Sequence, residues 1–327
     1  MQHGPQTHKN MKVKLSMLKA QTLSLFVIAT LACSPIPQAV RGLDGHPLGP
    51  LPMGMVESAE LESNTSEARR ELEEHPRSED SFVWLGRRLA YQGAYYEAIE
   101  VFSKGLEVHP DSPRLLRHRG HRYITVRRFE PAVQDLARAK QLAADQPDAL
   151  EPDGAPNAAG IPRSTMRGNI QYHLGLAYYL LGRYEEARVE YQDGLDLAQN
   201  DDTLVSTGWW LYLASRQVAK AKNATPGAQI QILERVRPEM DILENDAYHR
   251  LLLMARQHLK PEQVLPEDLR SIQGSTLGYG VAAFEALNGH TKKSQTIQKS
   301  ILESPYWQAF GYIAAETDAW RIAQLNE

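Results

Sequence analysis

The sequence predicts an all-α protein, a solenoid of stacked helical hairpins, and three observations carry that prediction. First, "LGRRLAYQGAYYEAIEVFSKGLEVHP" (85–110), "RGHRYITVRRFEPAVQDLARAKQLAA" (119–144) and "LGLAYYLLGRYEEARVEYQDGLDLAQ" (174–199) align with one another, the first two at an offset of 34 residues. Second, small and large residues recur in register: Gly86, Gly120 and Gly175, then Ala98, Ala132 and Ala187, then Phe102, Leu136 and Tyr191. Each copy encodes an apolar helix, a short turn and a second apolar helix, with small residues where two helices must cross closely. Third, no strand pattern of any length appears.

Composition is compatible with this. Of 327 residues, 42% are hydrophobic and 23% charged, ordinary for a folded chain with a sizeable core. The single cysteine, Cys33, excludes an intrachain disulfide and a cysteine zinc cluster. Charge is uneven: residues 1–32 hold Lys9, Lys12, Lys14 and Lys19 and no acid, which leaves 32 basic against 40 acidic residues from Cys33 onward, a net of −8.

Taken in order, residues 1–32 read as a signal peptide: a basic start, an apolar run from Leu23 to Ala32, and small residues at its end. The run is half the roughly 20 residues that a membrane span needs, and Met11 is a better start of the basic region than Met1. "TLAC" (30–33) resembles the bacterial lipoprotein box, which implies that Cys33 receives diacylglycerol and becomes the new N-terminus. The family prefers an aliphatic residue three before the cysteine; here Thr30 stands there and Leu31 one step later. The other reading is plain secretion with cleavage after Ala32. Residues 33–56, with prolines and glycines throughout, read as a tether. The acidic run at 69–76 belongs to a helix preceding the first repeat.

The repeats occupy 79–112, 113–146 and 168–201 within a region spanning 57–201. Gly93 and Gly182 mark turns, and Pro110 stops a helix. A single hairpin cannot bury both its faces, so neighbours must stack. These units, from Trp84, Leu85 and Gly86 through Ala98, Phe102 and Pro110, resemble the tetratricopeptide repeat (TPR) family. The resemblance implies a TPR-type right-handed helical-hairpin solenoid of roughly five to six hairpins. The insertion at 146–164, "QPDALEPDGAPNAAGIPRS", reads as a surface loop, with a lid over the groove as the functional alternative. Across 202–327 the pattern degenerates. Helices are expected at 203–222, 228–236, 245–259, 266–273 and, as a hairpin turning at Asn288-Gly289, over 276–305. The last segment, bearing Trp307, Phe310, Ala314 and Trp320, is expected to be a capping helix, with a dimer surface as the alternative.

The chemistry-bearing stretch is "RLLRHRGHRYITVRR" (114–128), with six arginines, two histidines and no acid. The resemblance places the first helix of each unit on the concave face. Its ligand-facing residues would be Trp84, Arg87 and Tyr91, then Arg114, Arg117, His118 and His121, then Asn169, Tyr172, His173 and Tyr179. Arginine forks bind oxyanions bidentately, and aromatic rings bury area at little entropic cost. Some TPR proteins hold a partner's C-terminal carboxylate with a lysine and asparagine clamp. At the matching positions stand Val83, Arg87, His118, Asn169 and His173, so that clamp is not reproduced.

No HExxH, GxSxG, P-loop or GxGxxG signature is present. The expected function is therefore an exported, lipid-anchored, non-enzymatic interaction module of the cell envelope, facing periplasm or exterior. It would bind a protein or peptide partner through an extended or acidic segment. No cofactor, metal or nucleic acid is expected. The alternatives are a small-ligand receptor or enzyme using the His/Arg groove and the 146–164 loop, and a structural spacer whose groove holds its own loop.

Overall fold

The computed structural model describes residues 39–152, 157–224 and 231–325; the expected signal peptide and Cys33 lie outside the described residues. The fold is an all-α helical-hairpin solenoid. Its helices are α1 (Met55–Glu74), α2 (Glu79–Tyr91), α3 (Tyr95–Val108), α4 (Pro113–Thr125), α5 (Phe129–Ala143), α6 (Met166–Leu180) and α7 (Tyr184–Asp196). They continue as α8 (Asp201–Ala221), α9 (Gln231–Arg235), α10 (Asp246–Ala255), α11 (Pro261–Val264), α12 (Ile272–Leu287), α13 (Thr291–Leu302) and α14 (Phe310–Leu325). Among the described residues the only β pairing is two isolated bridges, Arg41 with Pro47 and Leu150 with Thr165.

The hairpins α2/α3, α4/α5 and α6/α7 follow the small–large pattern. A Cβ on Gly86 would stand 2.2 Å from the Phe102 ring, one on Gly120 2.6 Å from Leu136, and one on Gly175 2.8 Å from Tyr191. The first helix of a hairpin starts on a side-chain cap: Ser78, Ser112, Thr165, Asn200 and Ser271 each accept a hydrogen bond from the N–H three residues on.

Six helices end in the same way, with a left-handed residue one past the C-cap and paired backbone bonds back into the last turn. In α2 the residue is Gly93 (φ 80°), with Ala94 N–H donating to the Leu89 carbonyl at 3.0 Å. In α4 it is Arg127 (φ 62°), exactly 34 residues later in the period, with Arg128 N–H donating to Tyr123 at 2.8 Å. Gly182, Asn223, Gln257 and Gly289 do the same after α6, α8, α10 and α12.

Arg127 shows why a side chain is worth having there. Its Nε donates to Glu316 of α14 at 2.7 Å, and its Nη1 and Nη2 donate to the carbonyls of Thr125 (2.6 Å) and Trp307 (2.9 Å). The arginine side chain is 3% exposed. This latch ties the last helix to the second hairpin. Arg321 reinforces it by donating to the carbonyls of Tyr179 (3.2 Å) and Leu180 at the end of α6. The array thus folds back on itself. Trp307 packs edge-on to Tyr95 at 5.6 Å and donates to the Gly49 carbonyl at 2.7 Å.

Three sequence expectations are adjusted. The described part of the expected tether lies against the body, with Val40 buried and Leu43, Leu48 and Leu51 packed on the core. Residues 266–271 are not helical, and α12 begins at Ile272. Trp307 precedes α14 rather than lying in it, and while Trp307 and Ala314 are buried, Trp320 is exposed.

Candidate functional site

The inner helices of the folded-back array line an open-mouthed chamber of about 540 Å³, within the range that holds a small ligand. Tyr91 of α2, His121, Arg122 and Thr125 of α4, and Asn169, Tyr172 and His173 of α6 form one wall. Thr207 of α8, Tyr248 of α10 and Thr276 of α12, with Leu51, Gln308 and Phe310, complete the chamber lining. On α4 this face is the row Arg114, Arg117/His118, His121/Arg122, Thr125, the three-four spacing of one helical side.

The sequence-derived site residues separate into five groups. Tyr91, His121, Asn169, Tyr172 and His173 meet on the chamber wall. The His121 and His173 rings lie 4.2 Å apart, with Phe310 at 5.4 and 5.7 Å from them. Tyr172 OH shares a 2.9 Å hydrogen bond with Tyr248 OH and accepts from Trp210 Nε1 at 3.0 Å.

Arg117 and His118, expected on an open groove, are buried beneath the 146–164 loop. Arg117 Nη2 donates to Glu151 at 2.7 Å, Asn169 Nδ2 donates to the same carboxylate oxygen, and His118 Nε2 lies 3.8 Å from the other oxygen. The loop therefore supplies its own carboxylate to three of the groove residues. It is held by Glu151 N–H on the Ser164 carbonyl (3.0 Å) and by Asn157 on Glu244 (2.6 Å) and Arg163 on Asp241 (2.7 Å).

Arg114 sits outside the chamber, paired with Glu79 (3.1 Å) and Asp80 (2.7 Å) at the start of α2. Trp84 faces α1 in a separate cleft with Ala68, its ring covered by Arg87 at 4.5 Å, while Arg87 Nε donates to Tyr91 OH. Tyr179 does not face a groove. It is 1% exposed, packed on Trp210 and Tyr184 and bonded to Tyr279 OH at 3.0 Å. The residue that follows a leucine-rich stack in sequence cannot be told from a groove aromatic by spacing alone.

Burial governs the electrostatics. It pushes the pKa of His118, His121 and His173 well below the ordinary histidine value, and the nearby Arg117 and Arg122 push further in the same direction. All three are neutral at pH 7. His173 Nδ1 meets the Asn169 carbonyl at 2.6 Å, so it carries the proton and Nε2 is left as an acceptor. His118 Nδ1 accepts from Arg117 at 2.8 Å, so its proton is on Nε2, toward Glu151.

The residue that sequence reading passed over is Arg122. It lines the chamber with its guanidinium over Tyr95 at 5.6 Å, and burial lowers its pKa to about 10. Its place four residues after His118 on the same helical side is the signal that could have found it. Among the described residues no group of three His, Cys, Asp or Glu side chains could hold a metal ion, and no helix is long and apolar enough to cross a membrane.

Comparison with known proteins bears on the repeats. No curated protein matches the chain. A solved structure, "YrrB: a TPR protein with an unusual peptide-binding site", is similar over 77% of this chain and 97% of its own, at 11% identity and a TM-score of 0.41. A second, of Naa15/Naa10 bound to HypK-THB, is similar over 80% of this chain, at 15% identity and a TM-score of 0.36; this chain spans 37% of that one. The tetratricopeptide repeat family model matches residues 168–201, the bounds of the third unit of the sequence period. The chain therefore carries a tetratricopeptide repeat at α6/α7, within its helical-hairpin solenoid.

Proposed function

We propose that this protein is a non-enzymatic interaction module that takes an acidic segment of a protein partner into the chamber between its inner helices. The single observation that carries the reading is the composition of that wall. Two arginines, four tyrosines and two neutral histidines converge on one cavity, with Glu244 as the single acid of its lining, a mix that recognises an anionic group beside apolar surface. The test is a fluorescence-anisotropy titration of labelled peptides, acidic against lysine-bearing, with the wild-type chain and Tyr172→Ala. Saturable binding of acidic peptides that weakens in the variant supports the reading, and equal indifference to both peptide classes removes it.

The same reading places the module in a cell envelope, anchored through lipid on Cys33. The basic start, the ten-residue apolar run and the "TLAC" stretch support this. Cys33→Ser is expected to shift the protein from membrane to soluble fractions; unchanged membrane residence would remove the anchor.

A further inference from the structure

Of the two arginines that line the chamber, Arg163 meets the carboxylate of Asp241 at 2.7 Å and Arg122 meets none, in contrast to four arginines elsewhere in the array. Arg117 has Glu151 at 2.7 Å, Arg119 has Asp135 at 2.7 Å, Arg127 has Glu316 at 2.7 Å, and Arg321 has Asp318 at 2.9 Å. Arg122 makes no ion pair and its guanidinium meets no hydrogen-bond acceptor among the described residues; its contact is the face of Tyr95. The guanidinium is half-buried, and proteins pair such groups internally or use them on a ligand.

Its surroundings are those of a receptor. The guanidinium lines the chamber rather than a packed core. The two histidines beside it are neutral, so they add hydrogen-bonding capacity without adding charge. Gln308, elsewhere in the chamber lining, has its amide oxygen buried with no donor. Five residues back on the same helix, the chain shows how such an arginine is satisfied: Arg117 is met by the carboxylate of Glu151 together with Asn169.

We propose that Arg122 is the anion receptor of the chamber and binds the carboxylate or phosphate oxyanion of the ligand through its guanidinium fork. This rests on the chamber being the binding site. The shared chemistry is the oxyanion, whether it comes from a free small molecule or from an acidic side chain of a partner.

The test is calorimetric titration of the full-length chain with three probes: inorganic phosphate, succinate, and an end-blocked peptide, acetyl-Gly-Glu-Gly-amide, whose sole charge is its side-chain carboxylate. Arg122→Gln is expected to weaken the bound probes at least about tenfold, the loss of one charge-assisted hydrogen-bonded contact. Arg122→Lys is expected to recover part of it as a point charge without the fork. Arg138→Gln removes an equal charge from an exposed pair with Asp111 and is expected to bind as the wild type does.

Binding of phosphate or succinate but not the peptide, dependent on Arg122, upholds the receptor and assigns the oxyanion to a free small molecule, so that the partner-segment reading fails alone. Binding of the blocked peptide dependent on Arg122 upholds both. Acidic peptide binding that Arg122→Gln leaves unchanged overturns the receptor and leaves the interaction module standing. No saturable binding of any probe by the wild type overturns the receptor outright. Circular dichroism melts accompany each variant; should Arg122→Gln fail to fold, Arg122→Lys against Arg138→Gln decides.

Discussion

Arg117 and Arg122 lie five residues apart on α4, one buried against the 146–164 loop and the other lining the chamber. Around Arg117 the chain has folded the 146–164 loop inward until Glu151 and Asn169 complete the site, leaving the ion pair 11% and 12% exposed. Around Arg122 the chamber is lined by Arg163 and Ser164 from the end of the same loop and by Glu244, yet Arg122 makes no ion pair among the described residues. The difference teaches that the basic stretch at 114–128 serves two purposes. Part of it is internal glue that holds the insertion and the C-terminal helix, and part of it remains available to something else.

The largest expected effect comes from the glue. Glu316→Ala leaves Arg127 buried and unpaired and is expected to cost about 3–5 kcal/mol, read as a fall in the thermal midpoint and as earlier protease cleavage near 304–325. Arg127→Gly with Glu316→Gln removes both charges while easing the left-handed backbone at 127, and is expected to recover part of the loss. A midpoint unchanged in Glu316→Ala would mean that the folded-back closure does not hold the array together.

Glu151→Gln sharpens the comparison by making Arg117 resemble Arg122. It is expected to destabilise by roughly 2–3 kcal/mol, less than Glu316→Ala, because the loop can relax. Added phosphate should then raise the midpoint more in this variant than in the wild type. Equal protection in the two would show that a second unpaired guanidinium makes no second site.

A pH series comes next in size. The folded-state pKa values of His118, His121 and His173 lie well below their unfolded value of 6.5. Their contribution is complete above pH 6.5, where they are neutral in both states. It is lost as the pH falls below 6.5, because the unfolded chain then binds protons that the folded chain refuses. Asp318, raised to about 6 by burial, works in the opposite sense. Its folded form takes up a proton before the unfolded one does, so it stabilises as pH falls from about 6 toward 3.8. Three groups against one predict a falling midpoint from pH 7 to 5, with a shallower fall in His121→Gln. A flat profile would contradict the neutral assignment.

The smallest expected effect is the most pointed. In ligand-free buffer, Arg122→Gln should match the wild type within about 1 kcal/mol, since it loses only the contact with the Tyr95 ring and no ion pair. A loss of several kcal/mol in chemical denaturation would make Arg122 structural and erase the contrast with Arg117.

Much of this fold was legible in the sequence because the 34-residue period is written in packing. Gly86 with Phe102, Gly120 with Leu136, and Gly175 with Tyr191 sit in van der Waals contact that no added carbon would survive. Turns at Gly93, Gly182 and Gly289 were legible for the same reason. Those at Arg127, Asn223 and Gln257 were not, because there tertiary contacts or local hydrogen bonds hold a side-chain-bearing residue in the conformation that glycine adopts freely. The chamber was half legible. The helical face of α4 followed from spacing, but which arginines the chain keeps for itself depends on Glu151 and Glu316, which lie 34 and 189 residues away in sequence from Arg117 and Arg127. Nothing local to 114–128 encodes those pairings. The irregular C-terminal helices hid the closure too, because α9 and α11 are too short to carry a period.

The most direct measurement is anomalous diffraction from crystals of this protein soaked in sodium selenate, an oxyanion with the shape of sulfate. The account predicts an anomalous peak inside the chamber within hydrogen-bonding distance of the Arg122 guanidinium, absent in Arg122→Gln, and none at Arg117, where Glu151 is in place. Selenate confined to the outer surface, or held in the chamber equally well without Arg122, would contradict it.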